Sequence, residues 1–347
     1  MKPTLRETLG VAAATLAAAA LALGTSLPAD AATSPSPGWH TFNAATGDGS
    51  LSGIYAVSAS DAWAASEGPS GGKVFHFTGT AWESVNSPDL GALEAISGTS
   101  DSDIWVLGAT TAAHWNGSSW TSSSLALPAG ATEGDETNLL YDAGANDVYA
   151  AVSYAVTDKG TLVEEEGLEH FNGKAWTAVT GLPNFSATSS IVTGLTGGGA
   201  DDVYLTSTYA FTTKSEVLQF NGHTWSAVQL PGSPYAPQID VTGAGQALAL
   251  GASTSDTTGY AAQLSGGKWT TVSLPLSNNV PSASAGGSGT AWAALIDYPA
   301  ESVWKFSAGK WTQTQATSAQ ASGLLYGAAD GSAVWALSGA DTYLYVG

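Results

Sequence analysis

Three histidines are the side chains whose type and spacing first indicate chemistry, because imidazole is the commonest metal ligand in proteins. They stand at one equivalent place in three copies of a similar stretch: His76, His114 and His170. Later copies carry other residues at this place: Gln219, Gln263 and Lys305. Equivalent positions of separate repeats lie apart, whereas Zn–N bonds are only about 2 Å long. The pattern therefore predicts a separate role for each histidine and no shared metal ion.

Other site chemistries are excluded by the composition. The chain has no Cys, which removes disulfides, thiolate metal sites and cysteine nucleophiles together. Arg6 is the sole arginine and lies in an N-terminal segment that we expect to be cleaved, so no guanidinium remains to clamp a phosphate or carboxylate. Residues 68–72, Gly-Pro-Ser-Gly-Gly, match the nucleophile-elbow pattern. They stand in a Gly-rich stretch with no helical pattern after it, so they predict no serine nucleophile.

The first 31 residues are predicted to be a secretory signal peptide. Lys2 and Arg6 precede an apolar run at residues 9–24, and Ala-Asp-Ala at residues 29–31 forms a small-x-small cleavage site. The apolar run is rich in alanine and short for a membrane span. We expect residues 1–31 to be removed on export, residues 32–37 to form a short linker, and the protein to be secreted as a soluble extracellular chain.

The charge balance excludes two classes of partner. The chain has 29 acidic and 9 basic residues, for a net charge of −20. Residues 1–31 contain two of each sign, so the exported protein keeps 27 acidic and 7 basic residues. Nucleic acids and anionic lipids both require basic surface. The sequence therefore predicts binding to neither nucleic acid nor membrane.

One hairpin pattern recurs along the chain. An aromatic residue or Leu is followed five positions later by Trp, usually with a small polar residue and Gly between them. Asn-Gly between alternating segments is a strong hairpin signal, because both residues accept positive φ. The tryptophans are on average about 46 residues apart, which fits four short strands per repeat. They are Trp82, Trp120, Trp176, Trp225, Trp269 and Trp311.

A second pattern, a turn and then a short apolar strand with a central aromatic or Leu, precedes each hairpin. Its central residues are Trp63, Trp105, Tyr149, Tyr204, Leu248, Trp292 and Trp335. This pattern occurs seven times, but the last copy ends with the chain, before its hairpin is complete. Residues 38–41 look like the missing part, with Trp39 as the seventh outer tryptophan. Pairing them with residues 343–346 closes a ring and removes two unpaired sheet edges. A six-bladed ring is the structural alternative.

With these repeats the chain resembles the seven-bladed β-propellers of secreted bacterial proteins over essentially all of residues 36–347, and we expect a single propeller domain at residues 38–347. The resemblance implies an all-β domain of four-stranded antiparallel blades. The Gly-His…Trp-Asp pairing of WD40 repeats and the double glycine of kelch repeats are absent, and the lack of arginine excludes an Arg-dependent sialidase of the same shape. We expect the outer tryptophans to pack between blades. Four aspartates are expected to bond backbone N–H groups in turns, with a central-channel cation site as the alternative: Asp61, Asp103, Asp147 and Asp202.

The third repeat has the longest connection between its second and third strands. Tyr149 and Trp176 are 27 residues apart, against 15 for Trp105 and Trp120 in the second repeat. This connection and the one before it carry the candidate carboxylates: Glu133, Asp135, Glu136, Asp158, Glu164, Glu165 and Glu166. Propeller topology places both connections at one mouth, so we expect them to be neighbours. A solvated acidic face, a Ca²⁺ site without EF-hand spacing and a docking surface for a basic partner all remain open.

Four tyrosines are candidate binding residues. Tyr154, Tyr209 and Tyr298 come five or six residues after the central aromatic of their repeat, where the chain is expected to leave the sheet. Tyr235 lies between two prolines in a connection between repeats. Tyrosine combines a flat apolar face with a polar tip, which suits sugar rings and protein interfaces. Ordinary loop packing is the alternative.

These observations favour a non-enzymatic recognition module that binds a cell-surface glycan or a secreted protein through one mouth. We expect a monomeric domain with no catalytic residues, metal or cofactor. The chain is similar to the lectin-like propeller subunits of the actinobacterial umbrella toxins, and that resemblance implies a targeting role within a secreted hetero-complex. A glycoside hydrolase or lyase that uses carboxylates at the mouth and a structural wall or matrix protein are the alternatives.

Overall fold

The chain forms a closed ring of β-sheets. The computed structural model describes residues 35–347 apart from residues 45–46, 48, 69, 135–137, 145, 210–211, 213, 254–257, 277–280, 298–299, 318–319, 321–322 and 340. The described residues form 29 β-strands in seven antiparallel sheets. The seven-bladed, all-β propeller expected from the repeats is therefore confirmed, and the six-bladed alternative is wrong.

The blades follow the order of the chain, and each runs from an inner to an outer strand. The strands of the first half are β1 (Gly38–Asn43); β2 (Leu51–Ser58), β3 (Asp61–Ser66), β4 (Val74–Phe77) and β5 (Trp82–Val85) of blade 1; β6 (Ala95–Ser100), β7 (Asp103–Leu107), β8 (Thr111–Trp115) and β9 (Trp120–Ser124) of blade 2; and β10 (Thr132–Glu133), β11 (Leu139–Asp142), β12 (Val148–Asp158), β13 (Thr161–Phe171) and β14 (Trp176–Ala178) of blade 3.

The later blades repeat this arrangement. Their strands are β15 (Ser190–Gly199), β16 (Asp202–Tyr209), β17 (Ser215–Phe220) and β18 (Trp225–Ala227) of blade 4; β19 (Tyr235–Gly243), β20 (Gln246–Ala252), β21 (Gly259–Ser265) and β22 (Lys268–Thr271) of blade 5; β23 (Pro281–Gly287), β24 (Thr290–Asp297), β25 (Ala300–Ser307) and β26 (Lys310–Gln313) of blade 6; and β27 (Leu324–Gly327), β28 (Ala333–Ser338) and β29 (Asp341–Val346) of blade 7.

Strand β1 completes blade 7 and closes the ring. It pairs with β29 in antiparallel register, with Trp39 opposite Tyr345 and Thr41 opposite Tyr343, as the sequence predicts. The inner strands contact their neighbours around the whole circuit, in the order β2, β6, β11, β15, β19, β23, β27 and back to β2. Some of these approaches require glycine, because a Cβ on Gly327 would lie 2.3 Å from the carbonyl oxygen of Gly286.

The hydrophobic core lies between the blades and not within them. Seven clusters of buried side chains are present in the described residues, and each joins two adjacent blades. In each cluster the central aromatic or Leu of one blade meets the outer Trp of the next. The rings of Trp105 and Trp176, for example, are perpendicular, with centroids 5.9 Å apart. Such pairs add roughly 0.5–1.5 kcal/mol to the gain from burial, so the predicted packing role of the outer tryptophans is confirmed.

The outer tryptophans also fix how neighbouring blades align. Five of their indole N–H groups donate to the preceding blade or to the segment that leaves it. The pairs are Trp39 with the Thr314 carbonyl, Trp82 with Thr342 Oγ1, Trp120 with the Asn86 carbonyl, Trp176 with Ser123 Oγ and Trp311 with the Ser273 carbonyl. Their lengths of 2.7 to 3.1 Å are ordinary. Hydrophobic packing is thus combined with a directional contact at each of these places.

The closure can be tested at Thr342, which is fully buried on β29. Its hydroxyl accepts the indole N–H of Trp82 at 3.0 Å and donates to the carbonyl of Phe42 on β1. Thr342→Val keeps the side-chain shape but leaves buried polar groups without partners, at a cost of about 1–3 kcal/mol. We expect a lower free energy of unfolding in urea. Thr41→Val, at an exposed position of β1, is the control, and equal stability of the two variants would contradict this role.

Candidate functional site

The candidate site lies on the face of the ring that holds the connections between blades and those from second to third strands, here called the upper face. Blade 3 extends furthest there, because β12 and β13 form a long hairpin that closes at Lys159 and Gly160 with φ of 49° and 83°. We call residues 154–165 the blade-3 overhang. Strand β10 pairs with it, so that Glu133 lies opposite Tyr154. The two connections are therefore neighbours, as predicted.

The carboxylates of the overhang point in different directions. Glu165 accepts the hydroxyl hydrogen of Tyr154 at 3.1 Å, and the adjacent residues Glu164 and Glu166 lie on the opposite side of the sheet. Glu164 is exposed, whereas Glu166 is buried. Asp158, at the tip, lies 3.7 Å from the Lys159 ammonium. These side chains do not converge on one point, and no metal-binding group of three or more His, Asp or Glu is present in the described residues.

Two of the predicted carboxylates, Asp135 and Glu136, lie outside the described residues, as does Tyr298. The other three tyrosines are less exposed than expected. Tyr154 is buried, and its burial together with the nearby Glu165 raises its pKa to about 12. Tyr209 is half-buried and donates its hydroxyl hydrogen to the Asn184 carbonyl. Tyr235 is half-buried in β19. Loop and sheet packing accounts for Tyr154, and its expected exposure is wrong.

Three cavities follow one another along the outer rim of the upper face, from blade 3 to blade 5. The first, of about 520 Å³, lies between β13 and the connection to β15. The second, of about 560 Å³, is lined by Tyr209, Asn184, Lys214 and Glu216. The third, of about 370 Å³, has a mixed lining that includes Leu230, Pro234 and Glu216. The second and third cavities share Lys214 and Glu216, so this sector offers several concave surfaces beside the overhang.

Buried carboxylates line the first cavity. Glu166 and Glu169 both reach it, and both are buried. Burial raises the pKa of Glu169, while the hydrogen bond from the Ala126 N–H to its Oε2, at 3.2 Å, opposes that rise. Because Ala126 follows β9, Glu169 fastens the connection that leaves blade 2 to the hairpin of blade 3. Its role here is structural support of the upper face.

Glu94, just before β6, is a candidate residue that the sequence analysis missed. Burial raises the pKa of its carboxyl to about 7, and the charge of Glu133 adds to the effect, although a hydrogen bond from Asn138 opposes it. Its Oε1 is buried without a hydrogen-bond partner among the described residues. Asn138 also accepts the Ser153 N–H at 2.8 Å. A carboxyl that keeps its proton near neutral pH can donate a proton or a hydrogen bond.

The three histidines do separate structural work, as their equivalent positions predicted. The Nε2–H of each ring donates to a carboxylate oxygen of an aspartate in the same blade, at 2.7 to 2.9 Å. The pairs are His76–Asp61, His114–Asp103 and His170–Asp147. In blade 4, Gln219 Nε2 donates to Asp202 at 2.7 Å. The rings stack on the central aromatic, with centroids 4.3 to 4.6 Å apart.

The expected turn bonding of these aspartates is therefore wrong. Their carboxylates hold the side chain of the third strand and not a backbone N–H of the turn. Burial by itself would raise the pKa of Asp103, but hydrogen bonds from His114 and Thr99 hold that pKa below its usual value. The sequence did contain a signal for these hydrogen bonds. In each of these blades an Asp stands two residues before the central aromatic, and a His or Gln stands on the third strand opposite that aromatic. Considering the aspartates and the histidines separately overlooked the pairing.

Another buried acid lies at the opposite end of the inner strands. Asp142, the last residue of β11, is 4% exposed, and burial together with the charge of Asp103 raises its pKa to about 7. Its Oδ1 accepts the Gly144 N–H at 2.8 Å, while Oδ2 has no partner among the described residues. It is remote in the fold from the upper-face connections, because the inner strand separates the two ends.

Comparisons with known proteins support the fold. No family model and no curated protein matches the chain. Among solved structures it is similar to YCF48 bound to D1 peptide, with 13% identity, a TM-score of 0.59, and coverage of 91% of this chain and 97% of that one. It is also similar to the Swd1 propeller domain of Myceliophteria thermophila, with 9% identity, a TM-score of 0.58, and coverage of 89% and 99%.

A third similar structure is a streptogramin B lyase, with 17% identity, a TM-score of 0.54, and coverage of 89% of this chain and 97% of that one. At such low identity these likenesses show the propeller fold alone, since propellers carry unrelated functions. These structures include a peptide-bound propeller and an enzyme, so they do not assign a function to this chain. The class of protein that the structure defines is a seven-bladed propeller in which blade 3 has an extended hairpin. No helix within the described residues is long and apolar enough to cross a membrane.

The aspartate–histidine pairs generate a stability prediction. His114→Ala leaves the largely buried Asp103 carboxylate without its main partner, at an expected cost of about 1–3 kcal/mol in unfolding free energy. His114→Gln should lose less, because Gln219 already makes the equivalent bond in blade 4. Urea denaturation measures both variants. Equal losses for the two substitutions would show that the hydrogen bond is not what matters at this position.

The raised pKa of Glu94 generates a pH prediction. The unfolded carboxyl loses its proton near pH 4.5, but the folded one keeps it to about pH 7, so the contribution of Glu94 to the free energy of unfolding falls as the pH rises between these values. Glu94→Gln removes that loss. We expect the variant to gain stability over the parent across this window, on the order of 1 kcal/mol after solvent screening. Glu83→Gln, at an exposed position of β5 away from the charges that act on Glu94, is the control and should not reproduce this gain.

Proposed function

We propose that this chain is a secreted, non-enzymatic recognition module that binds a protein partner through the upper face of blades 3 to 5. The observation that carries the proposal is the blade-3 overhang. It extends the hairpin well beyond the length used in blade 2, and β10 supports it from the neighbouring connection. Elaboration of one sector on a regular scaffold is typical of a surface that confers binding specificity.

The overhang is held rigidly by the ring, which favours a role in binding over a role that requires a conformational change. The overhang is built on strands whose other ends are buried between blades, so it is held in place before any partner arrives. Preorganised elements bind with a smaller entropic cost than disordered ones. YCF48, a similar propeller, has a structure with D1 peptide bound, and we infer that a protein segment is also the ligand here.

A glycan is the second ligand class, and the cavity around Tyr209 favours it. The cavity combines a half-buried aromatic ring with an amide, an ammonium and a carboxylate, from Asn184, Lys214 and Glu216. Such sets of groups suit the polar and apolar faces of a sugar. Binding of a cell-surface glycan together with a protein partner gives the chain a targeting role within a secreted complex, as the resemblance to the umbrella-toxin subunits implies.

One observation favours an enzyme as the alternative function. Glu94 holds its proton to about pH 7, beside the charge of Glu133, and a carboxylic acid that stays protonated near neutral pH next to a second carboxyl group is what general-acid glycoside hydrolysis requires. Turnover of a wall polysaccharide that Glu94→Gln abolishes would establish this function in place of recognition. No turnover leaves the recognition module as the conclusion, whereas turnover that Glu94→Gln leaves unchanged would show an enzyme whose catalytic acid is another residue.

The proposal is tested by capture experiments with the exported protein. Replacement of residues 155–164 by Asn-Gly closes the hairpin directly after the Tyr154–Glu165 pair. We expect the variant to fold, with a lower free energy of unfolding because Ala155 and Val156, which pack in the core, are removed. It should lose capture of a secreted protein that the parent retains, by at least tenfold in affinity. Asp101→Asn, at an exposed position of the other face with the same net charge change, is the control. Equal capture by the shortened and parent proteins would refute the proposal, and a glycan array on both tests the second ligand class.

A further inference from the structure

The outer edge of β13 is open where the overhang extends beyond its covering strand. Strand β14 pairs with β13 only from Glu169 to Phe171. Beyond that, the Val179 N–H donates to the Leu168 carbonyl and the Glu166 N–H donates to the Ala187 carbonyl, both at 2.7 Å. These bonds show that the even-numbered residues of β13 direct their backbone polar groups outward.

The same alternation applies to the next two even-numbered residues, Glu164 and Leu162. Their N–H and C=O groups point to the outer edge, and no described residue bonds them there. Their side chains are both exposed, and that of Leu162 is 65% exposed. Residues 161–165 therefore form a free strand edge in solvent.

Other blades cover the corresponding strand more completely. In blade 1, β5 pairs with β4 from Phe77 to Val74, its whole length. In blade 2, β9 likewise pairs with every residue of β8. The outer strands of blades 4, 5 and 6 leave three or four residues of the third strand unpaired, whereas β14 leaves eight of the eleven residues of β13 unpaired, so blade 3 has the longest open edge among these blades. Exposed edges are usually protected by charged side chains, proline or a bulge. Residues 161–166, Thr-Leu-Val-Glu-Glu-Glu, contain no proline and carry negative charge alone, which disfavours acidic strands at this edge but not basic ones.

The charge around this edge selects its occupant. Residues 154–166 contain four carboxylates, Asp158 and residues 164–166, against one lysine. The chain as a whole carries a net charge of −20, so a second copy is repelled while a basic segment is attracted. Leu162 adds an apolar contact on the same side of the sheet as Glu164, since both are even-numbered.

We propose that residues 161–165 of β13 bind an extended, basic segment of a protein partner as an added β-strand. This inference rests on the proposed function and specifies its ligand. Backbone hydrogen bonds to Leu162 and Glu164 supply affinity, and alternate side chains of the segment face the carboxylates and Leu162. The added strand continues a sheet that β12 and β10 already support from the other side.

The first test uses synthetic peptides on the exported protein. An eight-residue peptide that alternates lysine with valine should bind, as measured by fluorescence anisotropy at about 50 mM salt. The same peptide with alternate backbone amides N-methylated keeps its charge and side chains but loses strand donors, and it should bind at least tenfold more weakly. A peptide that alternates glutamate with valine should not bind. Equal binding of the methylated peptide, or no binding of the lysine peptide, would overturn the proposal.

The second test uses variants of the edge. Glu164→Pro removes an outward N–H that has no partner in the free protein, so the β12 ladder stays intact, and its ring obstructs an added strand. It should weaken the lysine peptide at least tenfold. The double variant Glu164→Gln, Glu165→Gln should weaken it less and reduce its salt dependence. Asp101→Asn with Asp201→Asn, exposed on the other face, is the matched control and should change neither.

The outcomes separate this inference from the proposed function. Capture of a secreted partner that Glu164→Pro leaves unaffected, but that replacement of residues 155–164 abolishes, refutes strand addition and retains the recognition module. Loss of capture in both variants supports strand addition. Sedimentation of the parent as a dimer that Glu164→Pro converts to a monomer would identify a second copy as the occupant and contradict the choice of a basic partner.

Discussion

Every blade depends on its neighbours, because the apolar side chains are buried between sheets and not inside them. A single blade is one twisted sheet, and it has no second layer of its own to cover its central aromatic. Trp335 of blade 7 is buried only because Phe77 and Trp82 of blade 1 pack against it. The pairing of β1 with β29 therefore stabilises the whole ring, since an opening at one interface exposes the aromatic residues on both sides of it.

Most of the side chains that the sequence suggested for binding or catalysis have structural roles in this arrangement. The histidines, the aspartates that face them and the outer tryptophans are all engaged in alignment within or between blades. What remains is the upper face, where connections are free to vary without loss of core. Blade 3 has the longest such connection, a hairpin that β10 supports. The three cavities from blade 3 to blade 5 lie in the same sector.

Buried carboxyl groups lie at both ends of the inner strands and have the same effect on stability there. Burial raises the pKa of both Glu94 and Asp142 to about 7, so both carboxyls reduce stability once they ionise. No lysine or arginine is among the groups that act on these two carboxyls, and the chain has only 9 basic residues against 29 acidic ones. The nearby carboxylates therefore increase the free-energy cost of ionising them. The excess of carboxylates that excludes nucleic acid and lipid as partners also makes a basic segment the natural complement of the open edge of β13.

The repeat spacing, the Asn-Gly turns and the split last unit were sufficient to predict seven blades and their closure, because strands and turns follow from local patterns and a ring follows from their repetition. The proximity of β10 to the overhang was predictable for the same topological reason. Only the tertiary structure decided that Tyr154 and Glu166 are buried, that each histidine bonds an aspartate and that Glu94 retains its proton. Those properties depend on which side chains meet from distant parts of the chain, and burial and pKa are set by that surrounding volume and not by the residue's own neighbours in sequence.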